Sequence, residues 1–225
     1  MFISELFYSI QGEGMLAGVP SVFIRTSGCN LRCVWCDTPY TSWNPEGTHE
    51  TVDEVCSYVR EHSTGHTVIT GGEPMLAPEI GELTQRLRQS GQHITIETAG
   101  TVWAEVECDL MSVSPKLANS TPRDAGAWTE RHEATRIQTD VLRRLTERHP
   151  YQIKFVVRDE RDLLEIEQIL AAVPHERSRV LLMPEGTQER VLQARSQELG
   201  EICKKRGFRL SPRWHVYLYG NRRGT

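Results

Sequence analysis

The 225-residue chain is 38% hydrophobic with a formal net charge of −4, apolar enough to bury one sizeable core and too short for two comfortable domains, so a single domain over residues 1–225 is expected. A pI near 6.1 leaves no basic stripe for a nucleic-acid backbone, and no nucleic-acid partner is expected. With a mean hydropathy of −0.44, no apolar run of the ~20 residues a membrane span requires, and no basic region leading into an apolar stretch across Met1–Gln11, the chain reads as cytoplasmic, without a membrane partner.

From Val22 onward, short β-branched runs alternate with segments of helical period. Strands are expected at Ser21–Arg25, Thr67–Thr70, His93–Thr98, Leu110–Ser112, Tyr151–Val157 and Val180–Met183, with a last extended stretch at His215–Tyr219. Val52, Val55, Cys56 and Val59 repeat at helical spacing behind a Thr51/Glu54 capping box. Leu83 with Leu87, Val141 with Leu145, Ile166 with Ile169 and Leu170, and Leu192 with Leu199 mark four more apolar stripes. Ser114–Arg131, with two prolines and an Ala-Gly-Ala turn, reads as a long surface loop. This alternation predicts an α/β fold on a parallel sheet, either closing into a barrel or partial barrel or remaining open, and both place ligands at the carboxyl ends of the strands.

Three of the six cysteines, Cys29, Cys33 and Cys36, form C-x3-C-x2-C directly after the first expected strand. Such crowding favours a bound metal over disulfides. Three thiolates can hold three irons of a cubane and leave the fourth open to chelate a ligand's amino and carboxylate groups. A structural zinc completed by a fourth ligand such as His49 is the competing reading. Cys56, Cys108 and Cys203 are isolated and read as small buried hydrophobes.

Gly71-Gly72-Glu73-Pro74 follows the second expected strand, where glycines permit close backbone approach and Glu73 offers an acceptor to an ammonium group. Alone, it would read as a helix-capping turn. Ser114-Pro115-Lys116 after a later strand is weak by itself, and core packing explains Phe155, Val156 and Val157 as well as a ligand contact does.

Together and in this order, the cysteine and Gly-Gly-Glu-Pro motifs resemble the radical S-adenosylmethionine (SAM) superfamily. The resemblance implies a partial (β/α)6-type parallel barrel with a reduced helical coat and a 4Fe-4S cluster on Cys29, Cys33 and Cys36. It also implies S-adenosyl-L-methionine held by Gly72 and Glu73 at the methionyl amino group, by Ser114, Pro115 and Lys116 at the ribose and carboxylate, and by Phe155, Val156 and Val157 at the adenine. A closer resemblance, nearly end to end, is to the branch that ring-contracts a carboxylated tetrahydropterin to a 7-deazaguanine on the route to queuosine. Its carriers are Ser9-Ile10-Gln11-Gly12-Glu13-Gly14, Cys36-Asp37-Thr38, Thr70 to Pro74, Ile96 to Thr101, and Ser211-Pro212-Arg213-Trp214-His215. Ala99, where asparagine is expected, and Tyr219-Gly220, where tryptophan-glycine is common, depart from the pattern.

That branch implies pterin contacts from Gln11, Gly12, Glu13, Arg25 and Thr70, Mg2+ on Thr38, a flavodoxin or ferredoxin-type reductant, and a homodimer. The implied chemistry is reductive cleavage of SAM, hydrogen abstraction from C6 of the pterin, ring contraction with loss of ammonia, and regeneration of the cofactor. The residue types suit these roles. Gln11 and Glu13 bring an amide and a carboxylate to one short loop, Arg25 can make a bidentate contact to a carboxylate, and the Thr38 hydroxyl can ligate a hard cation or cap a helix. Arg213 and His215 could approach the pterin, but a polar chain end explains them equally, and they stand outside the expected site. A glycyl-radical activating enzyme shares the cysteine and Gly-Gly-Glu-Pro motifs but generally lacks the Gln-Gly-Glu loop. An iron-sulfur electron carrier or zinc module would need no Gly71 to Pro74.

Overall fold

Six of the seven parallel strands alternate their side chains between a helix-packed face and a cavity-lining face and organise the molecule; the computed structural model describes residues 1–225. The strands are β1 (Phe2–Ile10), β2 (Pro20–Thr26), β3 (Thr48–His49), β4 (His66–Gly71), β5 (His93–Thr98), β6 (Leu110–Val113), β7 (Tyr151–Val157), β8 (Val180–Pro184) and β9 (Arg209–Leu210). The helices are α1 (Pro39–Ser42), α2 (Val52–Arg60), α3 (Ile80–Gln89), α4 (Ala127–Thr135), α5 (Thr139–Arg148), α6 (Asp162–Ala172), α7 (Glu189–Arg206) and α8 (Trp214–Tyr219). One open sheet has the order β3-β1-β2-β4-β5-β6-β7-β8-β9. Strands β2 and β4 to β9 run parallel, while β1 is antiparallel to both β2 and β3. The β5–β6 connection carries no helix, which is the reduced coat expected of a (β/α)6 partial barrel.

Because successive strand residues point to opposite faces, one register of each strand meets the helices. Ile24, Ile69, Ile96, Val113, Phe155 and Leu182 join Val55, Leu83, Leu145, Ile166 and Leu199 in a single apolar core. Each such side chain taken out of water contributes roughly 1.5–3 kcal/mol. The opposite register carries Arg25, Thr70, Glu97, Ser112, Lys154 and Met183, and it lines a cavity instead. The capping box of α2 is present, with Thr51 accepting from Glu54 N while the Glu54 side chain accepts from Thr51 N.

Three local expectations change. His215–Tyr219 is not extended: it belongs to α8, which buries Val216 and leaves Trp214 and Leu218 exposed, a helical rather than a two-residue period. Ser114–Arg131 is a loop only in part, because a 3-10 turn spans Ala118–Ser120 and α4 begins at Ala127. Ahead of the first expected strand, β1 buries Ile3 and Phe7 and pairs antiparallel with β2. No helix is long and apolar enough to cross a membrane.

Candidate active site

The inner face of the sheet and the loops at the carboxyl ends of β2 and β4 enclose a cavity of about 510 Å³. Two loops meet backbone to backbone at one end of it. Gly72 N donates to Thr26 O at 3.1 Å, Glu73 N to Gly28 O at 2.9 Å, and Gly28 N to Thr41 O at 2.8 Å. A side chain at Gly72 would place its Cβ 2.2 Å from the Gly28 oxygen, so this glycine is required by the close approach rather than by a turn.

Cys29, Cys33 and Cys36 all line this end of the cavity. Leu31 N lies 3.4 Å from Cys29 Sγ, and Cys36 Sγ lies 3.3 Å from Ser42 Oγ, so donors are already aimed at two of the sulfurs. Burial pushes the Cys29 and Cys33 thiols up to about 12, with Lys116 acting in the opposite direction. Iron supplies the positive charge that such buried thiolates need. Three cysteines from one loop, aimed into one cavity and served by nearby donors, therefore fit a site-differentiated cluster. His49, the candidate fourth ligand for zinc, sits on β3 with its ring 5.1 Å from that of Phe2 and is not part of the cavity wall.

Gly72, Ser114, Lys116 and Val156 border the cavity near the cysteines, and Lys116 Nζ donates to both Ser114 O and Ser114 Oγ at 2.9 Å. Four residues expected there do not line it. Phe155 and Val157 occupy the helix-side register of β7 and lie in the core, because only every second residue of a strand can face the cavity. Pro115 packs near Leu142 and Ile169. Glu73 is 1% exposed and braces the loop: Oε1 accepts from Met75 N at 3.1 Å and Thr98 Oγ1 at 2.7 Å, and Oε2 accepts from Ala99 N at 2.8 Å. Burial raises the Glu73 pKa, and these three donors oppose that rise.

The other end is a charged network. Glu97 accepts from Gln11 Nε2 at 3.1 Å and from Thr70 Oγ1 at 3.0 Å. Lys154 Nζ pairs with Glu13 and lies 3.9 Å from Glu97 Oε1. Arg213 Nε donates to Glu13 Oε1 at 3.1 Å, and the same guanidinium pairs with Asp37. His215 Nε2 lies 3.9 Å from Glu13 Oε1. Burial would raise the Glu13 pKa, but Lys154, Arg213 and His215 together hold this carboxyl well below the ordinary range. Gly12 is hemmed in by His215, where a Cβ would fall 2.0 Å from Nδ1. Arg25 Nε donates to Glu5 at 2.7 Å, which leaves Nη1 and Nη2 for a ligand. Thr38 stands at the N-cap of α1 without capping it and lines the cavity, its hydroxyl accepting from Thr41 Oγ1 at 3.3 Å.

The structure thus brings Gln11, Gly12, Glu13, Arg25, Thr38 and Thr70 to one cavity with the cysteines and adds Glu97, Lys154, Arg213 and His215. Lys154 had a readable signal, a charge in the middle of a mostly apolar strand run, and Glu97 a weaker one, a charge near the end of a strand that alternates isoleucine with polar residues. Arg213 and His215 had only the terminal Ser-Pro-Arg-Trp-His motif, which a polar chain end explains equally; the fold is what carries them back over Glu13.

The radical SAM superfamily profile matches residues 23–148. The chain is 45% identical to the 7-carboxy-7-deazaguanine synthase of Halobacterium salinarum, over 97% of this chain and 90% of that protein. It is 43% identical to the 7-carboxy-7-deazaguanine synthase of Rhodopirellula baltica, over 100% of this chain and 89% of that one. Among solved structures, it superposes on the crystal structure of QueE from Escherichia coli with a TM-score of 0.69 at 27% identity, covering 93% of this chain and 92% of the other.

Proposed function

Because the chain belongs to the 7-carboxy-7-deazaguanine synthase family of the radical SAM superfamily, we propose that its cavity holds 6-carboxy-5,6,7,8-tetrahydropterin for contraction to 7-carboxy-7-deazaguanine. It is a radical SAM enzyme, and the family brings a 4Fe-4S cluster and S-adenosyl-L-methionine. The observation that carries the substrate reading is one cavity with three cysteines at one end and a fixed polar set, Gln11, Glu13, Thr70 and Glu97, at the other. When bound, the reduced cluster and SAM supply the radical that removes a hydrogen atom from the substrate. The protein contributes binding, orientation and exclusion of water.

Glu13, held anionic by Lys154 and Arg213, accepts hydrogen bonds from the donor edge of a pterin beside Glu97, while Gln11 can serve either polarity. The two free Nη groups of Arg25 match the substrate carboxylate, and Glu5 fixes the plane of that fork. Cys29, Cys33 and Cys36 hold the cluster. Gly72, with the loop that Glu73 braces, takes the methionyl amino group. Ser114 and Lys116 take the polar groups of SAM, and Val156 takes its adenine. Thr38 would hold Mg2+, a hard cation that suits a hydroxyl oxygen; its hydroxyl makes no helix-capping bond and accepts from Thr41 Oγ1.

The reductant we propose is a flavodoxin or ferredoxin. Val34, between two cluster ligands, is 57% exposed, so the cluster lies close to the surface. A cytoplasmic homodimer completes the reading, supported by the exposed Trp214 and Leu218 of α8 beside edge strand β9.

The test is anaerobic turnover of the reconstituted chain with reductant, SAM, Mg2+ and 6-carboxy-5,6,7,8-tetrahydropterin. Detection of 7-carboxy-7-deazaguanine and ammonia is expected. Release of 5'-deoxyadenosine without either product would keep the radical SAM assignment and remove the pterin.

A further inference from the structure

His132 is fully buried on α4, nearly a hundred residues beyond the cysteine loop, and none of the roles above uses it. Its Nδ1 accepts from Arg32 N at 3.1 Å, in the spacer between Cys29 and Cys33. With Nδ1 accepting, Nε2 carries the ring proton and donates to Ser120 Oγ at 2.9 Å; Ser120 Oγ in turn donates to Leu117 O at 2.6 Å. The three bonds run in one direction and leave a single neutral tautomer. Burial, against a smaller opposing effect of Glu133, lowers the His132 pKa to about 4, in keeping with a ring that must stay neutral to accept.

Ser120 grips the loop a second time, because its carbonyl accepts from Val34 N at 2.8 Å. The backbone N–H groups on both sides of Cys33 are thus tied to one His132–Ser120 unit. Further ties from the same segment support the stretch: Trp35 Nε1 donates to Asn119 O at 3.0 Å, and the Arg32 guanidinium lies 3.9 Å over the Trp128 ring, while Asn30 of the spacer is held separately by Thr101. The segment that reads in sequence as a surface loop is therefore the backing of the cluster loop.

We propose that His132 is a positioning residue for the iron-sulfur cluster, its Nδ1 fixing the Cys29–Cys33 spacer so that Cys33 meets its iron in one geometry. This rests on the reading that Cys29, Cys33 and Cys36 hold a cluster. Outer-shell partners of metal ligands typically account for 10–100-fold in metal affinity.

The test compares H132N, H132Q and H132F in the full chain reconstituted anaerobically. Asn places an amide oxygen where Nδ1 was and keeps the acceptor for Arg32 N. Gln reaches Ser120 but drops that acceptor, and Phe keeps only the shape. The readouts are iron per chain, the rate of iron loss to a chelator, and the electron paramagnetic resonance spectrum of the reduced cluster with and without SAM, alongside thermal melting of each apo chain. H132Q and H132F are expected to lose iron roughly tenfold faster or more and to give an altered spectrum, while H132N stays near wild type even where its apo melting matches that of H132Q. Equal iron retention and identical spectra in all four chains would overturn the proposal, as would iron loss in H132N equal to that in H132F, which reduces His132 to core packing. A wild-type chain that takes up no cluster would remove the cluster reading and the proposal together.

Discussion

Gly72 and Gly28 touch through their backbones: a Cβ on Gly72 would lie 2.2 Å from Gly28 O and 2.7 Å from Thr41 O, and neither neighbour is the movable end of a side chain. The contact holds the Gly71–Pro74 loop, the proposed SAM-binding loop, against the loop that carries the cysteines. G72A must push them apart, so it is expected to weaken both iron retention and SAM binding, with an overpacking cost of about 1–3 kcal/mol. Equilibrium urea unfolding and SAM titration of the reconstituted protein check this.

The Glu13–Lys154–Arg213 network makes stability depend on pH. Glu13 has a folded pKa held below its unfolded value of about 4.3, so its contribution is present above that value and is lost as pH falls further. Lys154 is almost completely buried and is raised despite burial, through Glu13 and then Glu97, so its contribution is complete below about 10.4 and is lost as pH rises through its folded value. E13Q leaves two buried cations short of a partner and is expected to cost about 3–5 kcal/mol near neutral pH. E13Q by itself should flatten the acid limb, and adding K154M should recover a large part of the cost and flatten the alkaline limb. Unfolding free energies measured from acid to alkaline pH for the three chains decide it.

Adjacent residues of β7 should separate stability from cofactor binding. Phe155 is wholly buried in the helix-side core, whereas Val156 borders the cavity. F155A is expected to cost about 3–5 kcal/mol of stability and to leave the SAM affinity of the folded protein unchanged. V156A is expected to weaken SAM binding by about 1 kcal/mol, roughly fivefold, with the smaller stability loss. Calorimetric titration with SAM beside denaturant melts of each variant distinguishes the two.

Spacing along the chain carried much of this. The apolar runs marked six parallel strands, Thr51 and Glu54 marked the start of α2, and the cysteine and glycine motifs fell at adjacent strand ends because β2 and β4 are neighbours in the sheet. What lay hidden is three-dimensional. A run such as Phe155-Val156-Val157 is uniformly apolar, so only the observed pleat tells which member meets the ligand. Glu73 looked free to receive an ammonium group until the fold placed Thr98 and Ala99 against it. Arg213, His215 and His132 act on residues far away in sequence, and no local pattern marks such partners. At His215–Tyr219, aromatic and β-branched content suggested a strand, and burial of one side only made a helix.

The central claim is that one cavity brings C6 of the pterin against the 5' carbon of SAM. Its most direct measurement is anaerobic turnover of pterin deuterated at C6, with mass analysis of the product and of the recovered SAM. Formation of 7-carboxy-7-deazaguanine with deuterium appearing in the recovered SAM is the result the account predicts. Product formed while SAM and 5'-deoxyadenosine remain unlabelled would contradict it.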